Sequence, residues 1–142
     1  MCIILDTNTF GKFRNPNDED MAPVWKWLDN RNGKIVYANT KKFEDEWERG
    51  GMNHLRDQMM WAGQLKLVSG GVQEKADELE GKIVSDDPHI IALALIAELK
   101  VLVSYREGDG DLFTDFKNRQ LVGGRVYTRK SHEHMLTRDT CP

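Results

Sequence analysis

Short β-branched runs alternate along the chain with stretches whose apolar residues recur every three or four positions. The first run, Cys2 to Leu5, is bounded by Asp6-Thr7-Asn8 and predicts a buried strand. The polar stretch Arg14 to Asp20, with Pro16 inside it, predicts a loop. Pro23 to Leu28 has a helix-starting proline and two tryptophans and predicts a short helix. Asn32-Gly33 marks a turn before a second strand, Lys34 to Ala38. Asn39 or Thr40 is placed to cap a helix through Phe43 and Trp47, which Gly50-Gly51 interrupts; Met52, Leu55 and Met59 then resume helical spacing. Leu65 to Val68 reads as a third strand, ended by Ser69-Gly70-Gly71. Val72, Ala76, Leu79 and Ile83 mark an amphipathic helix. Pro88 stands at a first helical position with Asp87 as its cap. The run Ile90 to Ala97 is apolar on all sides, which predicts a buried helix. Val101 to Val103, a short helix around Leu112, Phe113 and Phe116, and a strand at Arg125 to Tyr127 complete the pattern. A polar tail follows from Thr128.

Strand runs that alternate with helical runs imply βαβ units and a mostly parallel sheet of four or five strands, covered on both faces. In such sheets the ligand crevice lies beyond the carboxyl ends of the strands. Acidic residues follow the strand runs there. Asp6 comes after the first, Glu44 and Glu46 after the second, and Glu107, Asp109 and Asp111 after the fourth, while Asp86 and Asp87 begin the buried helix. Taken singly, each has an ordinary reading as a cap, a solvated helix face or a turn residue. Together they would collect at one edge. Two carboxylates ~4 Å apart repel by roughly 4 kcal/mol at an effective dielectric of 20, so a cluster of four calls for a cation or for protonation. Oxygen donors favour Mg²⁺ or Mn²⁺ over Zn²⁺, and that chemistry suits phosphodiester hydrolysis.

At these residues the sequence resembles the PIN-domain nucleases, over about residues 1 to 127. The opening Ile-Ile-Leu-Asp-Thr-Asn (Ile3 to Asn8) resembles the family's first motif, a strand ending in Asp. The stretch Lys42 to Trp47 resembles the helical second acid, with Glu46 preferred and Glu44 its rival. Ser85 to Ser104 resembles the third motif, an Asp before an Ile/Ala-rich helix that leads into a strand, and the Asp-x-x-Ile spacing falls on Asp87. Gly108 to Phe116 resembles the fourth. The family's usual fourth position is Arg106 here. A short insertion, Arg106 to Gly108, moves the acid to Asp109, with Glu107 or Asp111 as substitutes.

The resemblance implies a three-layer α/β/α sandwich in a single domain over 1–142, with the motifs inside 1–127 and a polar tail at 128–142. It implies a metal-dependent endoribonuclease using Mg²⁺ or Mn²⁺, with Asp6, Glu46, Asp87 and Asp109 as catalytic metal ligands. Thr7 and Asn8 would orient Asp6 or contact a phosphate. The partners implied are an RNA substrate, an antitoxin protein if the chain is a toxin, and a second copy in a homodimer. Two alternatives remain open: a DNA-directed nuclease using the same site, and a silent module that binds RNA or protein.

Length and charge then narrow the classes. The chain has 142 residues, enough for one domain. It has 39% hydrophobic and 30% charged residues, the balance of a folded chain. A net charge of -3 argues against coating nucleic acid through bulk positive charge, but not against a local basic rim. Lys41, Lys42 and Arg106 stand near the crevice as possible phosphate contacts. Lys12, Arg14, Trp25 and Trp27 stand where a substrate loop would lie. Two tryptophans two apart on a helix face different ways, so one belongs to the core and the other is open for stacking. His89 reads as a hydrogen-bonded, half-buried side chain that could reach substrate. His132 and His134 lack a ligand-pair spacing for a helix and read as surface tail. No apolar run reaches the ~20 residues of a membrane span. No basic, apolar leader opens the chain. Cys2 and Cys141 lie at opposite ends of the sequence, which suggests free thiols and a cytoplasmic setting.

Overall fold

Five short strands pair edge to edge in one sheet: β1 (Cys2–Leu5), β2 (Lys34–Ala38), β3 (Leu65–Val68), β4 (Val101–Val103) and β5 (Arg125–Tyr127). The computed structural model describes residues 2–105 and 110–138. The spatial order is β3-β2-β1-β4-β5, and every pair is parallel. β1 sits at the centre, with Ile3 facing both Ile35 of β2 and Val101 of β4 across the ladders. Every residue of β1 and of β4 is buried, as helices on both faces require.

The helices are α1 (Phe10–Phe13), α2 (Ala22–Asp29), α3 (Lys41–Arg49), α4 (Asn53–Trp61), α5 (Val72–Leu79), α6 (Pro88–Ile96) and α7 (Gly110–Lys117), with 3₁₀ turns at Thr7–Thr9 and Lys130–Met135. The chain winds outward from β1 to β3, then crosses back over β1 to β4. Right-handed crossovers therefore put α2 to α4 over one face and α5 to α7 over the other, a three-layer α/β/α sandwich. The reversal of strand order between β1 and β4 opens the crevice that such sheets offer to ligands.

An aromatic cluster fills the first face. Trp47 meets Phe10 at 5.3 Å and Tyr37 at 5.0 Å between ring centroids, both edge-on. Gly50 is needed beside it, because a Cβ there would run into the Phe10 ring. On the other face α6 is buried from His89 to Ala94. The helix expected to reach Ile83 stops at Leu79, because Gly81 turns the chain into left-handed backbone at φ +76°.

Three readings change. Trp27 is core, its Nε1–H donating to the Thr137 carbonyl at 2.6 Å, but Trp25 is not open for stacking. It lies against Phe13 with centroids 4.6 Å apart and donates its Nε1–H to the Phe13 carbonyl at 2.7 Å. The tail from Thr128 folds back rather than trailing off: Lys130 N–H donates to Asp20 Oδ1 at 3.1 Å, and His132 Nδ1 accepts from the Thr128 N–H at 3.1 Å. Burial holds His132 below its ordinary pKa, with the charge of Arg129 adding to the effect. Cys2 is disulfide-bonded rather than a free thiol. Sequence distance misled here, since the returning tail brings Thr137 and Arg138 back to the sheet's amino edge; Cys141 lies outside the described residues. Among the described residues no helix is long and apolar enough to cross a membrane.

Candidate metal centre

β1 ends with its backbone ladder intact into Asp6, whose N–H donates to the Val103 carbonyl at 2.9 Å. The Asp6 carboxylate is 3% exposed and well bonded: Oδ1 accepts from the Thr7 N–H at 2.8 Å and Oδ2 from the Ser104 hydroxyl at 2.7 Å. Asn8 ties the ends of β1 and β4 together. Its Nδ2 donates to Ser104 Oγ and to the Tyr105 carbonyl, each at 3.1 Å, and its Oδ1 accepts from the Tyr105 N–H at 3.3 Å. The crevice wall between the central strands is thus a hydrogen-bonded unit.

α3 starts where Thr40 Oγ1 accepts from the Phe43 N–H at 3.3 Å. That phase turns Phe43 and Trp47 into the core and leaves Glu46 at the margin between core and solvent. One Glu46 oxygen, Oε1, lies 3.4 Å from the ammonium of Lys42, one helical turn earlier; the other, Oε2, lies 3.2 Å from His89 Nε2. His89 belongs to the first turn of α6, is buried, and packs edge-on against Phe43 with centroids 5.2 Å apart. Its other nitrogen, Nδ1, lies 3.9 Å from Asp87 Oδ1.

Asp87 occupies the cap position of α6, yet its side chain makes no capping hydrogen bond. The segment leading into it is fastened from elsewhere. Asp115 on α7, 2% exposed, accepts from the N–H of Val84 at 3.1 Å and of Ser85 at 2.7 Å, and Ser85 Oγ in turn accepts from the Asp87 N–H at 3.0 Å.

One ligand atom each from Glu46, Asp87 and His89 lies within 4.8 Å of the other two. Three donors about 2.1 Å from one ion lie about 3.0–3.6 Å apart, so the group would have to close, with His89 turning one nitrogen from a carboxylate to the cation. The protonation state fits as well. Burial pushes the Glu46 carboxyl up, but the hydrogen bond and charge of His89, joined by Lys42, outweigh it and hold the group below its ordinary 4.5. Glu46 is therefore ionised near neutrality, as a ligand must be. Two carboxylates and an imidazole suit Mn²⁺ or Zn²⁺ better than Mg²⁺, which prefers oxygen. A cleft of about 310 Å³ opens beside this group, lined by Lys42, Gln73, Asp77, Ser85 and His89.

Of the four acids read from the sequence, the fold brings Glu46 and Asp87 together. Asp6 stands outside their group, on the Ser104 side of the crevice. Glu44 and Asp111 are exposed, and neither belongs to the group. Asp109, Glu107 and Arg106 lie outside the described residues. Thr7 serves Asp6 through its backbone N–H, and Asn8 clasps Ser104 and Tyr105. Lys42 faces Glu46, while Lys12 lies 4.2 Å over the Tyr105 ring.

Sequence reasoning passed over three contributors. His89 as a ligand was legible in Asp87-Pro88-His89, which puts an imidazole in the first helical turn beside the cap acid. Ser104 as the Asp6 donor follows from two adjacent strands ending level. Asp115 bonds across 30 positions and leaves no local signal. Comparison with protein-family models, with curated proteins and with solved structures finds no match.

Proposed function

We propose that this chain is a divalent-metal-dependent phosphodiesterase acting on RNA, with Glu46, Asp87 and His89 as the ligands of one ion. The observation that carries this reading is their convergence beside a polar cleft, at the sheet edge where α/β proteins bind ligands. Mn²⁺ is the ion best matched to the mixed donor set. A bound divalent ion supplies a water acidified to near-neutral pKa and positive charge for the departing oxyanion.

The chain's own residues prepare that chemistry. Before an ion binds, His89 holds Glu46 ionised through their 3.2 Å contact; a bound ion would take over that role. Lys42 stands 3.4 Å from the other Glu46 oxygen with half its side chain in solvent, where its ammonium would meet a phosphate entering the cleft. Asp115 and Ser85 fix the backbone of Asp87 and so the position from which its carboxylate would reach the ion. Asp6, fixed by Ser104 and Thr7, adds a buried carboxylate at the end of β1 beside this crevice.

The test is cleavage of labelled single-stranded RNA and DNA with Mn²⁺, with and without chelator. RNA cleavage that chelator abolishes and that Glu46→Gln or Asp87→Asn removes supports the reading. Cleavage of DNA alone shifts the substrate class. Manganese binding without cleavage of either assigns a silent module.

A further inference from the structure

The opposite, amino edge of the sheet presents different chemistry. A groove of about 730 Å³ runs past the starts of β2 and β3, lined by Arg31, Lys34, Trp61, Gln64, Arg138 and Asp29. Trp61, at the end of α4, is 93% exposed. Its indole therefore offers a bare aromatic face on which a planar group can stack. The groove is also positive. Arg31, Lys34 and Arg138 make no ion pair among the described residues, whereas the Asp29 carboxylate is engaged by Gln64 Nε2 at 2.8 Å. Arg31, in left-handed backbone at φ +59°, closes the end of α2: its N–H donates to the Leu28 carbonyl at 3.0 Å and the Asn32 N–H to the Trp27 carbonyl at 3.2 Å, which sets the Arg31 side chain at the groove.

An aromatic platform flanked by unpaired cations is the arrangement that takes single-stranded nucleic acid: a base stacks on the ring and the phosphates follow the charges. We propose that this groove is a binding site for single-stranded RNA, with Trp61 stacking one base and Arg31, Lys34 and Arg138 contacting the backbone. It would be an anchoring site, not a reactive one. The length of β2, about 16 Å for its five residues, separates it from the edge where α3 begins. A strand held there passes to the metal group only if it is long, so the groove selects extended substrates. The net negative charge of the chain makes such a local patch the route by which a polyanion is captured. The site goes beyond the metal reading, and its test removes the metal.

The experiment is fluorescence anisotropy of a labelled oligouridine of roughly ten nucleotides, titrated with the full chain in chelator. Trp61→Ala is expected to weaken binding about tenfold, and Trp61→Phe, which keeps a stacking face, to recover part of that. Arg31→Gln with Lys34→Gln is expected to make the slope of log affinity against log salt shallower by roughly 1.4. Thermal melting of each variant reports whether it folds; Trp61, being exposed, can be replaced without opening the core. Equal binding by Trp61→Ala and wild type overturns the proposal. So does a wild-type chain that ignores oligouridine but self-associates through Trp61 in sedimentation, which makes the groove a protein contact. Loss of RNA cleavage in metal-ligand variants, with chelator binding intact, separates the two sites.

Discussion

The two edges of the sheet handle charge in opposite ways. At the carboxyl edge, Asp6, Glu46 and His89 are largely buried and each is bonded to a neighbour, so perturbing one changes the state of the next. At the amino edge, Arg31, Lys34 and Trp61 lie in or beside solvent, and replacing one leaves the others as they were. Burial makes a site chemically tuned and structurally costly to alter. Exposure makes it adjustable, and restricts its effects to binding.

The largest expected effect follows from breaking the buried side. Asp87→Asn or Glu46→Gln should reduce Mn²⁺-dependent RNA cleavage on the order of a thousandfold, measured under single-turnover conditions. Asp115→Ala comes next. It strands the N–H groups of Val84 and Ser85 and should cost about 2–3 kcal/mol in denaturant unfolding, while weakening Mn²⁺ binding about tenfold through the loosened Asp87. Ser104→Ala removes a hydrogen bond to a buried carboxylate and should cost about 1.5 kcal/mol by the same measurement.

pH sharpens the comparison. Glu46 is held below its ordinary 4.5 in the folded chain, so it contributes stability above that pH and loses it as pH falls through the folded value. His89→Ala removes the main cause. The melting-temperature gap between wild type and His89→Ala should therefore be widest near neutrality, begin to shrink as pH falls past 4.5, and reach its minimum below the folded value of Glu46. A gap that is constant with pH breaks the coupling. The smallest effect belongs to the exposed side: Trp61→Ala should leave stability within about 0.5 kcal/mol of wild type.

The same contrast explains what could be read from sequence. The strands were legible because Ile3, Ile35 and Val101 belong to short β-branched runs broken by turn residues, and a parallel sheet buries such runs on both faces. Thr40 as a cap and Gly50 as a stop announced α3 locally, and α3 fixes Glu46. The meeting of Glu46 and Asp87 at one edge was legible; the entry of His89 beside them was not. Whether Asp6 or His89 joins Glu46 depends on how α3 and α6 approach across the crevice, and no spacing along the chain encodes that distance. Trp61 was hidden for the same reason. An aromatic at the end of an amphipathic helix has the pattern of a core residue, and only the fold shows that nothing covers it.

Whether Glu46, Asp87 and His89 hold one divalent ion is decided by titrating the metal-free chain with Mn²⁺ and following the free-ion signal by electron paramagnetic resonance. One ion per chain is expected to bind, at least tenfold more weakly in Asp87→Asn and in His89→Ala but unaltered in Trp61→Ala. Equal binding by wild type and both ligand variants, or no binding by wild type at all, would contradict this assignment.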